Sequence, residues 1–216
     1  MIEKIILEDH AAWLARRKNS IGGSDAAAII GLNPWKSNRQ LWEEKKGITP
    51  APDISERAVV KYGTQAEAPL RELFQLDFPE LIVEYEANNL WTNTEYPFAH
   101  YSADGILYEP GGRMGLLEIK TVHMVSGIQR EKWRESIPDN YYCQLLWGMA
   151  VTGAEFAILK ASQIYENGAD KWSVCKHYRL ERAEHEGEIE ELMEAGRKFA
   201  ESLLNNTPPA VMLPDI

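Results

Sequence analysis

Hydrophobic positions along this chain recur with a helical period toward both ends and alternate in the middle. Residues 11–18 predict a short helix. Ile21-Gly22-Gly23 reads as a tight turn, with Ser24 and Asp25 capping a helix over 26–30. Gly31-Leu32-Asn33-Pro34 ends it, since glycine closes a helix and proline does not continue one. A second helix is expected from Ser37 through Lys46, with Gly47 as its stop. Two prolines make 49–53 a loop. Over 63–77, Ala66, Leu70, Leu73, Phe74 and Leu76 predict a longer helix, with Pro69 tolerable near its start.

The centre changes character. Residues 81–83, 90–92, 103–108 and 115–122 are short, β-rich and bounded by turn residues. Glu109-Pro110-Gly111-Gly112 is a hairpin turn between the last two. Residues 140–151 are apolar around much of the helical circumference, which predicts a buried helix. Two strands follow, over 154–161 and 171–180, joined around Asn167-Gly168. An amphipathic helix over 183–204 carries the stripe Ile189, Leu192, Met193, Phe199, Ala200 and Leu203. This order implies an α+β fold of mixed α/β layers, a central sheet flanked by helices. No linker or internal repeat divides it, so residues 1–216 are expected to form a single domain.

Composition narrows the class. With 44% hydrophobic and 26% charged residues, the 216-residue chain is that of an ordinary globular protein. No apolar run reaches the roughly 18–20 residues of a membrane helix, and the first ten residues do not resemble a signal peptide. Cys143 and Cys175 are too few and too far apart for a disulfide scaffold or a CxxC zinc site, which fits a reducing cytosol. The 23 basic and 33 acidic residues leave a net charge of −10, unlike a non-specific nucleic-acid coat protein. The charge is segregated, however. Residues 11–63 hold nine Lys/Arg and five Asp/Glu, a net of +4, and the remainder is −14. A basic N-terminal face on an acidic body can hold an anionic polymer locally.

Four places can carry chemistry. Glu118 and Lys120 share one face of a strand, and the preceding hairpin can bring Asp104 onto it. Two carboxylates and a backbone carbonyl such as that of Ile119 form a hard-oxygen site for Mg²⁺ or Mn²⁺. Such an ion neutralises phosphate charge and lowers the pKa of a bound water, while Lys120 could orient that water. A Glu-x-Lys pair is also common on solvated strands. The apolar opposite face argues for an interior strand, where an acid needs a partner. Glu67 is expected in the first turns of a helix, favoured there by the helix dipole and within possible reach of a second metal. Arg17 and Ser24, beside Gly22-Gly23 and a helix N-terminus, could hold an anion; a plain cap serves Ser24 equally well. Gln144, in an apolar helix, needs a hydrogen-bond partner or holds a water. None of the five histidines shows metal-ligand spacing. Trp13, Trp35 and Trp42 share the basic segment with Arg16, Lys36 and Arg39, and could stack on bases.

Taken in order, these blocks resemble the phage-type exonucleases of the YqaJ viral recombinase (lambda exonuclease) family, within the PD-(D/E)xK nuclease superfamily. The resemblance spans Trp13 to Gly153. It rests on Trp13-x-x-x-Arg17, the run from Ile21-Gly22-Gly23-Ser24 to Pro34-Trp35, Gly63-Thr64-Gln65-Ala66-Glu67, Ser102-Ala103-Asp104-Gly105, Leu117-Glu118-Ile119-Lys120-Thr121 and Tyr141-Tyr142-Cys143-Gln144. It implies a restriction-endonuclease-like core with a central mixed β-sheet, and a Mg²⁺-dependent 5′→3′ exonuclease acting on ends of double-stranded DNA, with about two ions per site and Mn²⁺ as a substitute. Asp104, Glu118 and the Ile119 carbonyl would be metal ligands, and Glu67 would support the metals. Lys120 would act on the water, and Gln144 would be the superfamily's helix-borne glutamine. Arg17 and Ser24 would bind the 5′-terminal phosphate. Arg16, Lys36, Arg39, Trp13 and Trp35 are candidate DNA contacts. The resemblance further implies a ring-shaped homotrimer, a single-strand annealing protein as partner, and a phage- or prophage-encoded protein in a bacterial cytoplasm. The superfamily's Pro-Asp is here Ala103-Asp104, and Trp147 stands where many relatives carry Tyr. Other readings are an endonuclease of the same fold, a non-catalytic DNA-end binder, and a structural protein whose carboxylates are surface charges.

Overall fold

In the structure, a computed structural model, residues 1–134 and 136–212 are described. The chain opens with an unpredicted strand, β1 (Ile2–Ile6). In the helix α1 (His10–Lys18), the N-cap Asp9 accepts from the Ala12 N–H. The expected turn at 21–23 is a two-residue strand, β2 (Ile21–Gly22), that runs directly into α2 (Gly23–Ile29). Ser24 therefore lies inside the helix and does not cap it; Asp25 does, accepting from the Gly22 N–H at 3.1 Å. The helix α3 (Asn38–Lys45) starts on a reciprocal Ser37–Gln40 cap, as its sequence suggests.

The longest helix, α4 (Ala58–Asp77), begins five residues earlier than the periodicity indicates. Pro69 and Glu67 therefore sit mid-helix, and the dipole argument for Glu67 fails. Strands β3 (Ile82–Glu84), β4 (Asn89–Asn93), β5 (Ala99–His100), β6 (Gly105–Tyr108) and β7 (Met114–His123) follow. Then come a short unpredicted helix, α5 (Gly127–Lys132), and the buried helix α6 (Asp139–Thr152). Gly153 closes α6 with φ +73°, a conformation glycine adopts without strain. The hairpin of β8 (Phe156–Asn167) and β9 (Asp170–Glu181) turns at Gly168, and α7 (Glu186–Leu204) completes the fold.

The main sheet has the order β3-β6-β7-β8-β9. Strands β7 and β8 are parallel and the other pairs antiparallel, so the sheet is mixed. The crossover that a parallel pair requires is made by α5 and α6. Alternation along β7 divides the two cores. Leu117 and Ile119 pack with Leu70 and Phe74 of α4. Leu116 and Val122 face α2, α6 and α7 on the other side. Glu118 and Lys120 share that second side, in the central strand of the sheet. Two small sheets complete the frame: β1 pairs with β4, and β2 lies parallel to β5. Among the described residues, no helix is long and apolar enough to cross a membrane.

Candidate active site

Asp104 does not lie within a strand as expected; it sits just before β6. The buried amide of Asn89 sets this loop. It donates to the Ala103 carbonyl and accepts from the Ala103 N–H, both at 2.9 Å. Asp104 Oδ2 then accepts from the Ile119 N–H of β7 at 2.8 Å. Glu118, 2% exposed, is enclosed by donors. Lys120 Nζ lies 2.8 Å and Gln144 Nε2 2.6 Å from its Oε1, and Tyr101 OH donates to its Oε2 at 2.5 Å. Gln144, half-buried in α6, thus has its hydrogen-bond partner. Tyr101 reaches Glu118 only because two glycines leave room: a Cβ on Gly23 would meet its ring at 2.9 Å, and one on Gly148 at 2.7 Å.

Glu67 arrives from α4. Arg71, one turn on, donates to Glu67 Oε1 and to the Asp104 carbonyl, each at 2.5 Å. Three carboxylates therefore face one another. Burial first, then Glu118 and Glu67, push Asp104 well above the usual carboxylate range. Burial also raises Glu67, partly opposed by Arg71. Burial and Glu118 raise the Tyr101 phenol. Burial would lower Lys120, but Glu118 and Asp104 outweigh it and hold the ammonium charged.

This donor set fits a hard divalent cation. A cation at Asp104 would relieve the mutual repulsion that raises its pKa. Among the described residues, no group of three or more His, Cys, Asp or Glu is arranged as a ready-made metal cage, and Glu67 is already paired with Arg71. A site supplying few protein ligands suits Mg²⁺, which retains waters and binds through one or two carboxylates plus substrate phosphates.

Arg17 and Ser24 line one cavity of about 700 Å³, with Lys36, Lys45 and His100. Arg17 lies 4.1 Å over the Trp13 ring, and its Nε donates to His100 Nε2 at 3.4 Å. His100 Nε2 therefore accepts, so Nδ1 carries the proton toward Ser20 Oγ at 2.8 Å. Burial, then Arg17 and Lys45, lower His100 to about 3. It is a neutral prop beneath a cationic pocket. Lys45 pairs with Asp25 at 2.8 Å and Lys36 with Glu44 at 2.5 Å.

The remaining DNA-contact candidates divide. Arg16 and Arg39 do not line this cavity, and Arg39 pairs with Glu43. Trp42 is 3% exposed and belongs to the core, so it does not stack on bases. Trp13 is engaged by Arg17 and by its N–H bonds to Ser102 and Asn89. Trp35 is 73% exposed. Local pattern does not reveal Tyr101, His100, Arg71 or Asn89; each acts through a contact distant in sequence.

An alkaline exonuclease from Laribacter hongkongensis has a similar fold, with TM-score 0.66 at 20% identity, over 90% of this chain and 93% of that one. The Bacillus subtilis protein YqaJ is 30% identical over 145 residues, which are 67% of this chain and 43% of that protein. Protein D345L of African swine fever virus is 28% identical over 157 residues, 65% of this chain and 45% of that protein. The matches thus span less than half the length of these two relatives. The sequence model of the YqaJ-like viral recombinase domain matches residues 12–155, and the chain belongs to that family.

Proposed function

We propose that this chain is a Mg²⁺-dependent exonuclease that shortens one strand of linear double-stranded DNA 5′→3′, leaving a single strand for recombination by annealing. The observation that carries this reading is the cluster of buried Glu118 with half-buried Asp104 and Lys120. Mg²⁺ bound at Asp104 and Glu118, with the Ile119 carbonyl beside them, would offset phosphate charge and acidify water; Mn²⁺ is expected to substitute, with two ions per site. Tyr101 and Gln144 hold Glu118 in one position. Lys120 orients the attacking water and stabilises charge developing on the scissile phosphate. Arg71 places Glu67 and the Asp104 backbone together. Arg17 and Ser24 receive the 5′-terminal phosphate, and His100 keeps the Arg17 side chain in place. The cationic lining of that cavity, beside a carboxylate centre, favours attack from an end over cutting within a strand. The exonuclease fold neighbour supports the same reaction class. A ring-shaped homotrimer and a single-strand annealing partner belong to this reading.

The test is digestion of linear duplex with Mg²⁺, one end carrying a 5′-phosphate and the other a 5′-hydroxyl, alongside a covalently closed circle. Loss of the 5′-phosphorylated strand, sparing of the circle, and inactivity of Asp104→Asn are expected. Cutting of the circle would make the protein an endonuclease, and no cutting with Mg²⁺ or Mn²⁺ would leave a binding module.

A further inference from the structure

A second cavity, of about 390 Å³, lies further along β7 from the carboxylate cluster, with Tyr141 in its wall, within the ~300–1,000 Å³ range of small-molecule sites. Its walls include Leu32, Trp35, Val122, Ile128 and Tyr141, with the amides of Gln129 and Asn140. Its position follows from β7. Glu118, Lys120 and Val122 point to one side at two-residue steps, so Val122 lies about 13 Å along the strand from Glu118. Tyr141 joins the two places: Lys120 Nζ is 5.5 Å from its ring centroid, and the ring packs 5.4 Å from Trp133. At the other side of Glu118, Gly23 brings α2 against Gln144 and leads to Ser24 of the cationic cavity.

The two cavities have opposite chemistry. The cationic one carries Arg17, Lys18, Lys36, Lys45 and Lys46, against Asp25 and Glu44. Among the described residues lining the second, only Lys132 and Asp139 are charged, one of each sign. That lining does not favour a phosphate. Aromatic and aliphatic walls with the Asn140 amide and the Gln129 amide, whose oxygen accepts from the Val125 N–H, suit the flat, polar-rimmed face of a nucleobase. Trp35 and Ile128, 73% and 74% exposed, are large apolar side chains on the wall of this cavity. An exposed apolar patch beside a charged site calls for an occupant.

We propose that this cavity receives the base on the 3′ side of the scissile phosphate, the residue that becomes the new 5′ end after each cut. The assignment rests on the exonuclease reading. With the terminal phosphate in the cationic cavity and the scissile phosphate at Asp104 and Glu118, the next nucleotide falls toward Val122. Its base leaves the duplex to stack on Trp35 and Tyr141, which would fix the register for one nucleotide per cut.

The test uses the Asp104→Asn protein, so that the DNA persists, and 5′-phosphorylated duplexes carrying 2-aminopurine at position 2 or at an internal position. Anisotropy of a label at the far end reports binding independently. Binding should change 2-aminopurine fluorescence at position 2 and not internally. Adding Trp35→Ala should remove that change and weaken binding about fivefold or more, the low end for a stacked base. Asn140→Ala, a milder change, should reduce the same signal. Binding by anisotropy with no change at position 2, or an equal change at both positions, would overturn the base site and leave the exonuclease reading standing. No binding by anisotropy would remove both.

Discussion

Asp104 and Glu118 are costly to bury, and the chain compensates them differently. Glu118 has Lys120, Gln144 and Tyr101 around it. Asp104 has the Ile119 N–H and the Lys120 ammonium, but burial and the like charges of Glu118 and Glu67 outweigh them. Asp104→Asn keeps an acceptor for Ile119 and removes the repulsion. Its melting temperature without divalent ions should equal or exceed wild type, while cleavage falls at least ~100-fold. Mg²⁺ should raise the wild-type melting temperature and leave that of Asp104→Asn nearly unmoved; thermal melts with and without the ion measure both. His100 offers a pH test. Its folded pKa is depressed from 6.5 to about 3, so its contribution is complete above pH 6.5 and is lost as pH falls toward 3. The stability of wild type relative to His100→Gln should therefore fall by on the order of 4 kcal/mol across that window, read by urea unfolding at several pH values. Glu118 and Lys120 were legible in the sequence because a two-residue step on a strand always returns to the same face. His100 and Tyr101 were not, because Arg17 and Glu118 approach them only after β5 has paired with β2 and the loop before β6 has met β7.

At the scale of elements, α4 delivers Glu67 and Arg71 to the site from the opposite side of the sheet. Its C-terminal end is pinned there by Lys160 of β8, which is wholly buried. Lys160 Nζ lies 2.7 Å from Asp77 and 3.3 Å from His177, above the Phe74 ring. Asp77→Ala leaves a buried ammonium without its carboxylate and should cost about 3–5 kcal/mol, whereas the double variant Asp77→Ala with Lys160→Met should recover most of it. Denaturant midpoints of the three proteins decide this. Strong local patterns located the centres of β7, α6 and α7. The start of α4 and all of β1, β5 and α5 escaped because they are short or weakly amphipathic and are stabilised by neighbours distant in sequence: β1 by β4 and β5 by β2.

For the whole molecule, a net charge of −10 must coexist with the polyanionic substrate proposed for it. Binding at the cationic cavity should weaken steeply between 50 and 200 mM salt, and Arg17→Ala should reduce the slope of that dependence by about one ion. If the ring forms, sedimentation will give three times the 24.6 kDa chain mass; a monomer would leave local charge alone to hold DNA. By itself the sequence determined the layered α+β plan, the acidic and basic regions, and the residue types of the carboxylate centre. Periodicity, turn chemistry and spacing are local properties of a chain. Only the tertiary structure decided that Ser24 sits within a helix, that Trp42 is core, and that Arg71 claims Glu67. It also decided that Tyr101 fits between two glycines to hold Glu118. Those outcomes depend on which distant segments pack together, and burial sets the charge of a carboxylate or histidine only once that packing has removed it from water.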